Sequence, residues 1–409
     1  MFKILLFLFP IITQSGNDEI PIVSKFKGGY LLLYTKFKMN VYYAKLNPNG
    51  NLLNYSLIDD GKEYSFSPVD TLQGILSYRV LTSLGDVIIG RWIKDSLGNI
   101  VLTPEDTLYF PGYDPINNIV WWSEASLITA SPITKDVILL NQEYVEDLNV
   151  PYVYYLQSLT LFNSNLNYQK YLYAGPPLSF GALLHSDSSF YFVNYVNDSS
   201  ELRLVEIPFP YDTSFLYKIG VSLSLNTPDT FMRNYLTKSE DDTFVLRMSN
   251  FLLFFTKDTV FNIFTLPDTF GFPVYLNNKF YVFYTFSDTL YGLKFNKKGE
   301  LLKNKKILND SLIKDPYAIW DKRRFFVVFS YFSNDFDIGG VFVDTSLNVS
   351  VEENIRFKNK EKEIKSLIMI KKSNSLKLFS VNGRKVEKIK RGIYFYLDKK
   401  RKLKILKIY

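Results

Sequence analysis

His185-Ser186-Asp187 places an imidazole, a hydroxyl and a carboxylate in one run, the three groups a serine hydrolase needs. Neighbouring residues of a strand point to opposite faces, so contiguity does not assemble a relay. No G-x-S-x-G precedes the run, and the expectation is a lone surface or turn histidine. His185 is the only histidine, and cysteine is absent. A two-histidine zinc site, a thiolate metal site, a disulfide and a cysteine nucleophile are excluded. Oxygen donors gather at Glu240-Asp241-Asp242 and Asn334-Asp335-Phe336-Asp337. Calcium accepts such ligands, but neither run follows D-x-D-x-D-G, and both read as solvated hairpin tips. No catalytic, cofactor-binding or metal-binding residue is assigned, and no cofactor is expected.

The elements that would position any site are strands. The 409 residues are 47% hydrophobic and 17% aromatic, enough for a large core. Runs of β-branched and aromatic residues alternate with Asn, Asp, Gly and Pro, and no long helical stripe appears. Asn141 to Asn149 is the best short helix candidate. Asp-Thr followed by an apolar residue recurs at Asp70, Asp106, Asp229, Asp242, Asp258, Asp268 and Asp288. An Asp side chain satisfies backbone N–H groups in a turn and Thr opens the next strand, so this reads as punctuation.

Three segments align. Tyr30 to Thr35 leads to Asn47-Pro48-Asn49-Gly50-Asn51, and Phe280 to Thr285 leads to Asn296-Lys297-Lys298-Gly299-Glu300. Phe325 to Ser330 leads through Asp337-Ile338-Gly339-Gly340 to Asp344-Thr345-Ser346-Leu347-Asn348. Asp95 to Asn99 is a fourth turn of this kind. An Asn or Asp three residues before Gly suits a type I turn ending at positive φ, which closes a hairpin. The apolar run ahead of it lacks alternation, as a strand buried on both faces would. Similar runs start at Tyr30, Ile75, Ile119, Tyr152, Phe190, Phe244, Phe280 and Phe325, with gaps averaging near 42 residues. A four-stranded propeller blade takes roughly 40 to 50 residues. The expected fold is an all-β propeller over residues 17–358, with seven blades favoured and eight possible, followed by a small C-terminal β unit.

The unit at Phe325 to Asn348 resembles exported bacterial β-propellers that repeat "V-V-W/F-S…D-I-y-G…V-D-x-x-G-N", with Asn348 read in the place of a Gly. At the N-terminus, Lys3, the apolar run Ile4 to Ile12 and Thr13-Gln14-Ser15-Gly16 read as a secretory signal over residues 1–16, cut after Ser15 or Gly16. The run is shorter than the roughly 18 to 20 residues that span a bilayer. A buried first strand is the alternative for these residues. No later transmembrane helix is expected.

The segment from Asn359 to Tyr409 carries a net charge of +13, against −6 for everything before it. A nucleic-acid role would need the basic patch on the folded body, so none is expected. Within this tail, Leu376 to Val381 alternates like a strand, and Asn382-Gly383 is a hairpin turn. Lys390 to Tyr396 and Lys402 to Tyr409 supply two further strands. The segment from Ser375 onward resembles the C-terminal sorting domain of type IX secretion substrates. The resemblance rests on Gly383, Arg384, Lys385 and Val386 as "GR-x-V", on Gly392 and Tyr394 as "G-x-Y", and on the basic last strand. It implies secretion machinery as a partner and a secreted or cell-surface location. The family's Asn-Pro-rich upstream half is absent here. A membrane β-barrel is disfavoured, because Arg401 and Lys407 share the face of Tyr409, and a midplane cation costs roughly 2 to 4 kcal/mol.

Two functions stay open. One is a binding or structural module whose ligand is an extracellular protein or glycan; such a module expects an aromatic or featureless channel mouth. The other is a propeller-type carbohydrate-active enzyme, which would bring two or more carboxylates together at one mouth.

Overall fold

The computed structural model describes residues 9–349 apart from intervening segments, the longest of them 224–234, and then 378–380, 392–397 and 403–408. The chain forms two compact units, Met1–Val349 and Ser350–Tyr409. Among the described residues there is no helix.

In the first unit, β1 (Phe9–Ile12) precedes a run of antiparallel meanders. The first comprises β2 (Asp18–Phe26), β3 (Gly29–Lys36), β4 (Asn40–Leu46) and the start of β5 (Leu52–Pro68). The end of β5 opens the next, with β6 (Gln73–Val80), β7 (Val87–Lys94) and β8 (Ile100–Leu108). A sheet of five strands follows: β9 (Tyr113–Asp114), β10 (Ile119–Ala130), β11 (Val137–Asp147), β12 (Tyr152–Phe162) and β13 (Tyr168–Gly175). Then come β14 (Phe180–Ser186), β15 (Ser189–Val196), β16 (Glu201–Pro208) and β17 (Phe215–Gly220). The next sheet holds β18 (Leu236–Lys238), β19 (Phe244–Met248), β20 (Phe251–Phe255) and β21 (Val260–Thr265). After it stand β22 (Gly271–Leu276), β23 (Lys279–Phe286), β24 (Thr289–Asn296) and β25 (Leu301–Asn309). The last sheet contains β26 (Ile313–Trp320), β27 (Phe325–Phe332) and β28 (Phe336–Val343), with β1 on its outer edge.

Setting aside the two-residue β9, the first strands of successive meanders, β2, β5, β10, β14, β18, β22 and β26, touch in that order, and β26 returns to β2. Apolar clusters fill the spaces between neighbouring meanders, such as Leu140 and Leu159 against Phe190 and Phe192. Sheets radiating from a closed circle of first strands make the unit a β-propeller. β1 helps to close it: Phe9 lies opposite Gly340 and Ile12 opposite Ile338. Ile11 and Ile12 are buried with Val23, Phe326 and Phe342. Residues 9–12 thus form a strand within the segment expected to be an export signal.

The seven separate blades favoured from the sequence are found as six sheets, one of them seven-stranded. The reason is β5, which runs 17 residues without a break and serves both as the outer strand of one meander and the inner strand of the next. The two halves of that sheet pack on each other through Leu31 and Leu33 on one side and Phe66 and Leu76 on the other. One expected unit start is also corrected. Ile119 and Tyr152 begin β10 and β12 of a single sheet, whose second strand begins at Val137. The best short helix candidate, Asn141 to Asn149, is a further correction. Most of it lies in β11, paired along its length with β10 and β12, and this pairing overrides local preference.

The aligned segments behave alike. Tyr30, Phe280 and Phe325 open or nearly open β3, β23 and β27, each the second strand of its sheet and buried on both faces. The turns that follow the third strands share one hydrogen-bond pattern. Asn47 Oδ1 accepts the N–H groups of Asn49 and Asn51 at 2.9 and 3.0 Å. Asn163, Asn296 and Asp344 each do the same for the residues two and four positions on. The position of positive φ is held by Gly50, Leu166, Gly299 and Leu347. The residue standing where glycine is expected in the last repeat is therefore Leu347 rather than Asn348. A leucine there is strained by roughly 1 to 2 kcal/mol. Leu166 and Leu347 are both buried, and that burial offsets the strain. The Asp95 to Asn99 turn lies outside the described residues. Asn163→Ala strands two N–H groups in an exposed turn, where water replaces part of the loss. The expected cost is about 1 kcal/mol, read as a lower urea midpoint at unchanged slope.

The second unit contains a three-stranded antiparallel sheet of β29 (Leu378–Ser380), β30 (Gly392–Leu397) and β31 (Leu403–Ile408). Ser380 lies opposite Tyr394, and Gly392 opposite Ile408.

Candidate functional site

Pro68, Ala130 and Ser186 end β5, β10 and β14, and short turns project beyond each. At this end of the circle the first strands line a half-open cavity of about 310 Å³. Ile22 comes from β2, Ser65 to Pro68 from β5, and Thr129 and Ala130 from β10. Leu183 to His185 come from β14, Leu236 from β18 and Tyr317 from β26. The alternation Tyr64-Ser65-Phe66-Ser67 turns both serines to one face of β5. Ser65 Oγ accepts the N–H of Ile128 at 3.1 Å, and Ser67 Oγ accepts that of Ala130 at 2.9 Å. These bonds lash β5 to β10, and each serine keeps an O–H to donate.

His185 stands at the end of β14, edge-on to Phe190 with ring centroids 4.8 Å apart. Its Nε2 is buried with no hydrogen-bond partner among the described residues. Burial holds its pKa below the ordinary 6.5, against the opposing charge of Asp187. The imidazole is neutral at pH 7. The lone surface or turn histidine expected from the sequence is thus corrected to a half-buried residue of the central cavity, because β14 is an inner strand. It forms no relay: Asp187 bonds Lys238 at 2.9 Å, and Ser186 donates to Asp187 at 3.4 Å.

A depressed histidine pKa means that the unfolded chain binds the extra proton first. Stability from this group is present above pH 6.5 and declines as pH falls through 6.5 towards the folded value. As the sole histidine gives a single imidazole signal, NMR titration is expected to place its midpoint below 6.5. A midpoint at or above that value contradicts the buried placement.

Beside the cavity, charged groups tie the sheet of β14–β17 to that of β18–β21. Lys238, its side chain only 1% exposed, reaches Asp187 at 2.9 Å and Asp242 at 2.8 Å. Lys257 bonds Glu206 at 2.7 Å and approaches Asp242 at 3.5 Å. Glu206 also accepts the hydroxyls of Tyr191 and Tyr217 at 3.1 and 3.2 Å. Burial alone would lower the Lys238 pKa, but its bonds to Asp242 and Asp187 raise it above the ordinary lysine value. Burial would raise Asp242, yet Lys238 and Lys257 hold it low. Burial and Glu206 push the Tyr191 phenol up, so it stays protonated. Asp187 and Asp242 therefore converge on a lysine as fixed charges. Neither lines the cavity.

The Glu240 to Asp242 run is a hairpin tip, but an ion-paired one: Asp241 accepts the Ser239 hydroxyl and lies 2.9 Å from Lys297. Asp337, read as part of a solvated tip, is buried in β28. Among the described residues no group of three or more His, Asp or Glu side chains is arranged to hold a metal. Of the sorting-signal residues, Gly392 and Tyr394 fall in β30, while Gly383, Arg384, Lys385 and Val386 lie outside the described residues. No helix among the described residues is long and apolar enough to cross a membrane.

No protein-family model and no curated protein matches the chain. Solved structures do. The N-terminal part of BBS1 in complex with ARL6 is 11% identical with a TM-score of 0.48, over 84% of this chain and 97% of that one. The Dos1 propeller is 12% identical with a TM-score of 0.47, over 82% and 95%. Trypanosoma rangeli sialidase with the inhibitor DANA is 8% identical with a TM-score of 0.46, over 86% of this chain and 57% of that one. At such identities none of them transfers a ligand or an activity.

Proposed function

We propose that this protein is an exported binding module that takes its ligand in the His185 cavity, with the C-terminal sheet addressing it to secretion machinery. The observation that carries the binding reading is the cavity wall, whose described residues are hydroxyls, a neutral imidazole, aromatic and aliphatic side chains, with no ionised group among them. A glycosidase would need two carboxylates facing the ligand, one of them able to hold a proton. Here Asp187 and Asp242 are bonded to Lys238 and Glu206 to Lys257, and none of the three lines the cavity. The double-sized sheet, whose halves pack face to face, then serves as two radial units of a ring of seven.

Surface or extracellular location is tested by deleting 375–409. A body that folds normally but stays in the periplasm supports the sorting role; a misfolded body removes it. Export with cleavage near Gly16 would take β1 with it, so strand and signal are alternative fates of residues 9–12. N-terminal sequencing of secreted material is expected to begin near Gly16 or Asn17, and an intact Met1 contradicts cleavage.

A further inference from the structure

Resting on the binding reading above, we infer that the His185 cavity holds one uncharged sugar ring. Charge is the first discriminator. Among the described residues no Lys, Arg, Asp or Glu lines the cavity, so an ionised ligand would lose its hydration with no counter-charge from them to replace it. Hydrogen bonding is the second. Ser65 and Ser67 already accept main-chain N–H groups, which leaves their O–H groups as donors, and Thr129 lies between them on β10. His185 adds a half-buried imidazole to the same wall. An apolar ligand would orphan these groups, whereas hydroxyls that both donate and accept satisfy them. Shape is the third. Phe66 and Tyr317 also line the cavity, and Tyr317 is held against Phe272 with ring centroids 4.1 Å apart. They offer the C–H face of a pyranose an apolar wall. A volume of about 310 Å³ lies at the lower end of ligand pockets, roughly 300 to 1,000 Å³, which suits a single ring.

The single histidine makes the test direct. The full chain with isotope-labelled histidine is titrated with methyl glucoside, methyl galactoside and methyl mannoside. N-acetylneuraminic acid serves as the charged comparison and indole as the apolar one. The expected result is a saturable shift of the imidazole signal with at least one neutral glycoside, and none with N-acetylneuraminic acid. Thr129→Val should weaken that glycoside about 3- to 10-fold at unchanged melting temperature. Gly74→Ala is the second variant: a Cβ there would lie 2.4 Å from Phe66 Cζ, so the ring must move and affinity should fall with no lining residue replaced. Equal shifts from the charged sugar overturn the inference. A shift from indole alone overturns it while leaving a binding cavity in place. No shift from any of the compounds removes both the inference and the binding reading.

Discussion

Gly29→Ala is expected to cost on the order of 4 kcal/mol, among the most severe single substitutions in the chain. Gly29 opens β3 directly after Gly28 of the preceding turn and has φ +154°, where L side chains are rare. A Cβ at this position would fall 1.9 Å from the carbonyl oxygen of Leu46 and 3.0 Å from the backbone of Asn47. Side chains can rotate out of such a contact, but main chain cannot. Leu46 is fixed opposite Tyr30 in the ladder, and Asn47 is fixed by its turn. Gly28→Ala is the matched control. Gly28 also has positive φ, +87°, yet nothing lies within 4 Å of its would-be Cβ. That variant should lose only about 1 kcal/mol from backbone strain. Urea unfolding of the two side by side decides the matter: equal losses would mean that the Leu46 contact is not rigid.

Asp321→Ala should come next, at roughly 3 to 5 kcal/mol. Asp321 sits in the turn between β26 and β27 and is buried. Its Oδ1 accepts the N–H groups of Arg323 and Arg324, each at 3.1 Å, and its other oxygen accepts the hydroxyl of Tyr30. The Lys25 ammonium donates to its carbonyl at 2.7 Å. The residue therefore stitches the last sheet to the first. Truncation leaves three donors without their acceptor, each worth about 1 to 3 kcal/mol when buried. Burial alone would raise the carboxyl pKa, but Tyr30, the two N–H groups and Lys25 together hold it below the ordinary 3.8. A carboxylate with a lowered folded pKa contributes stability that is full above 3.8 and is lost as pH falls through the folded value. Asp321→Asn keeps an oxygen for the N–H pair while removing the charge. It should cost less at pH 7 and flatten the stability profile below pH 3.8. Denaturant midpoints measured across that range would expose an unchanged profile, which contradicts the assignment.

Local order was legible where a residue type answers a local demand. The Asn and Asp residues that open the third-to-fourth-strand turns, the glycines at positive φ and the twice-buried second strands could all be read from types and spacing. The unit boundaries were harder, because β5 stays extended through Asp59-Asp60-Gly61, a turn-type run that its pairing with β4 and β6 overrides. The cavity was not legible at all. Ser65 and Ser67 alternate with Tyr64 and Phe66 as in any half-buried strand, and nothing local says that their face meets the backbone of Ile128 and Ala130. His185 was undervalued for the same reason. Its role follows from β14 being an inner strand, which depends on ring closure by residues more than a hundred positions away.

The unbroken β5 also bears on how the ring comes apart. The other neighbouring meanders meet across side chains, so each has a nearest-neighbour coupling of its own, as in a linear array of repeats. Across β5 the coupling is main chain. One strand carries the hydrogen-bond ladders of both β4 and β6, and β2 through β8 cannot let go in two independent steps. This stretch is expected to behave as one cooperative foldon of seven strands, where the other sheets of the unit have four or five. Under native conditions the amides of β4 and β6 should exchange at a common free energy and respond together to a destabilising substitution in either half. Those of β15 and β19, joined only through their side chains, should keep separate values.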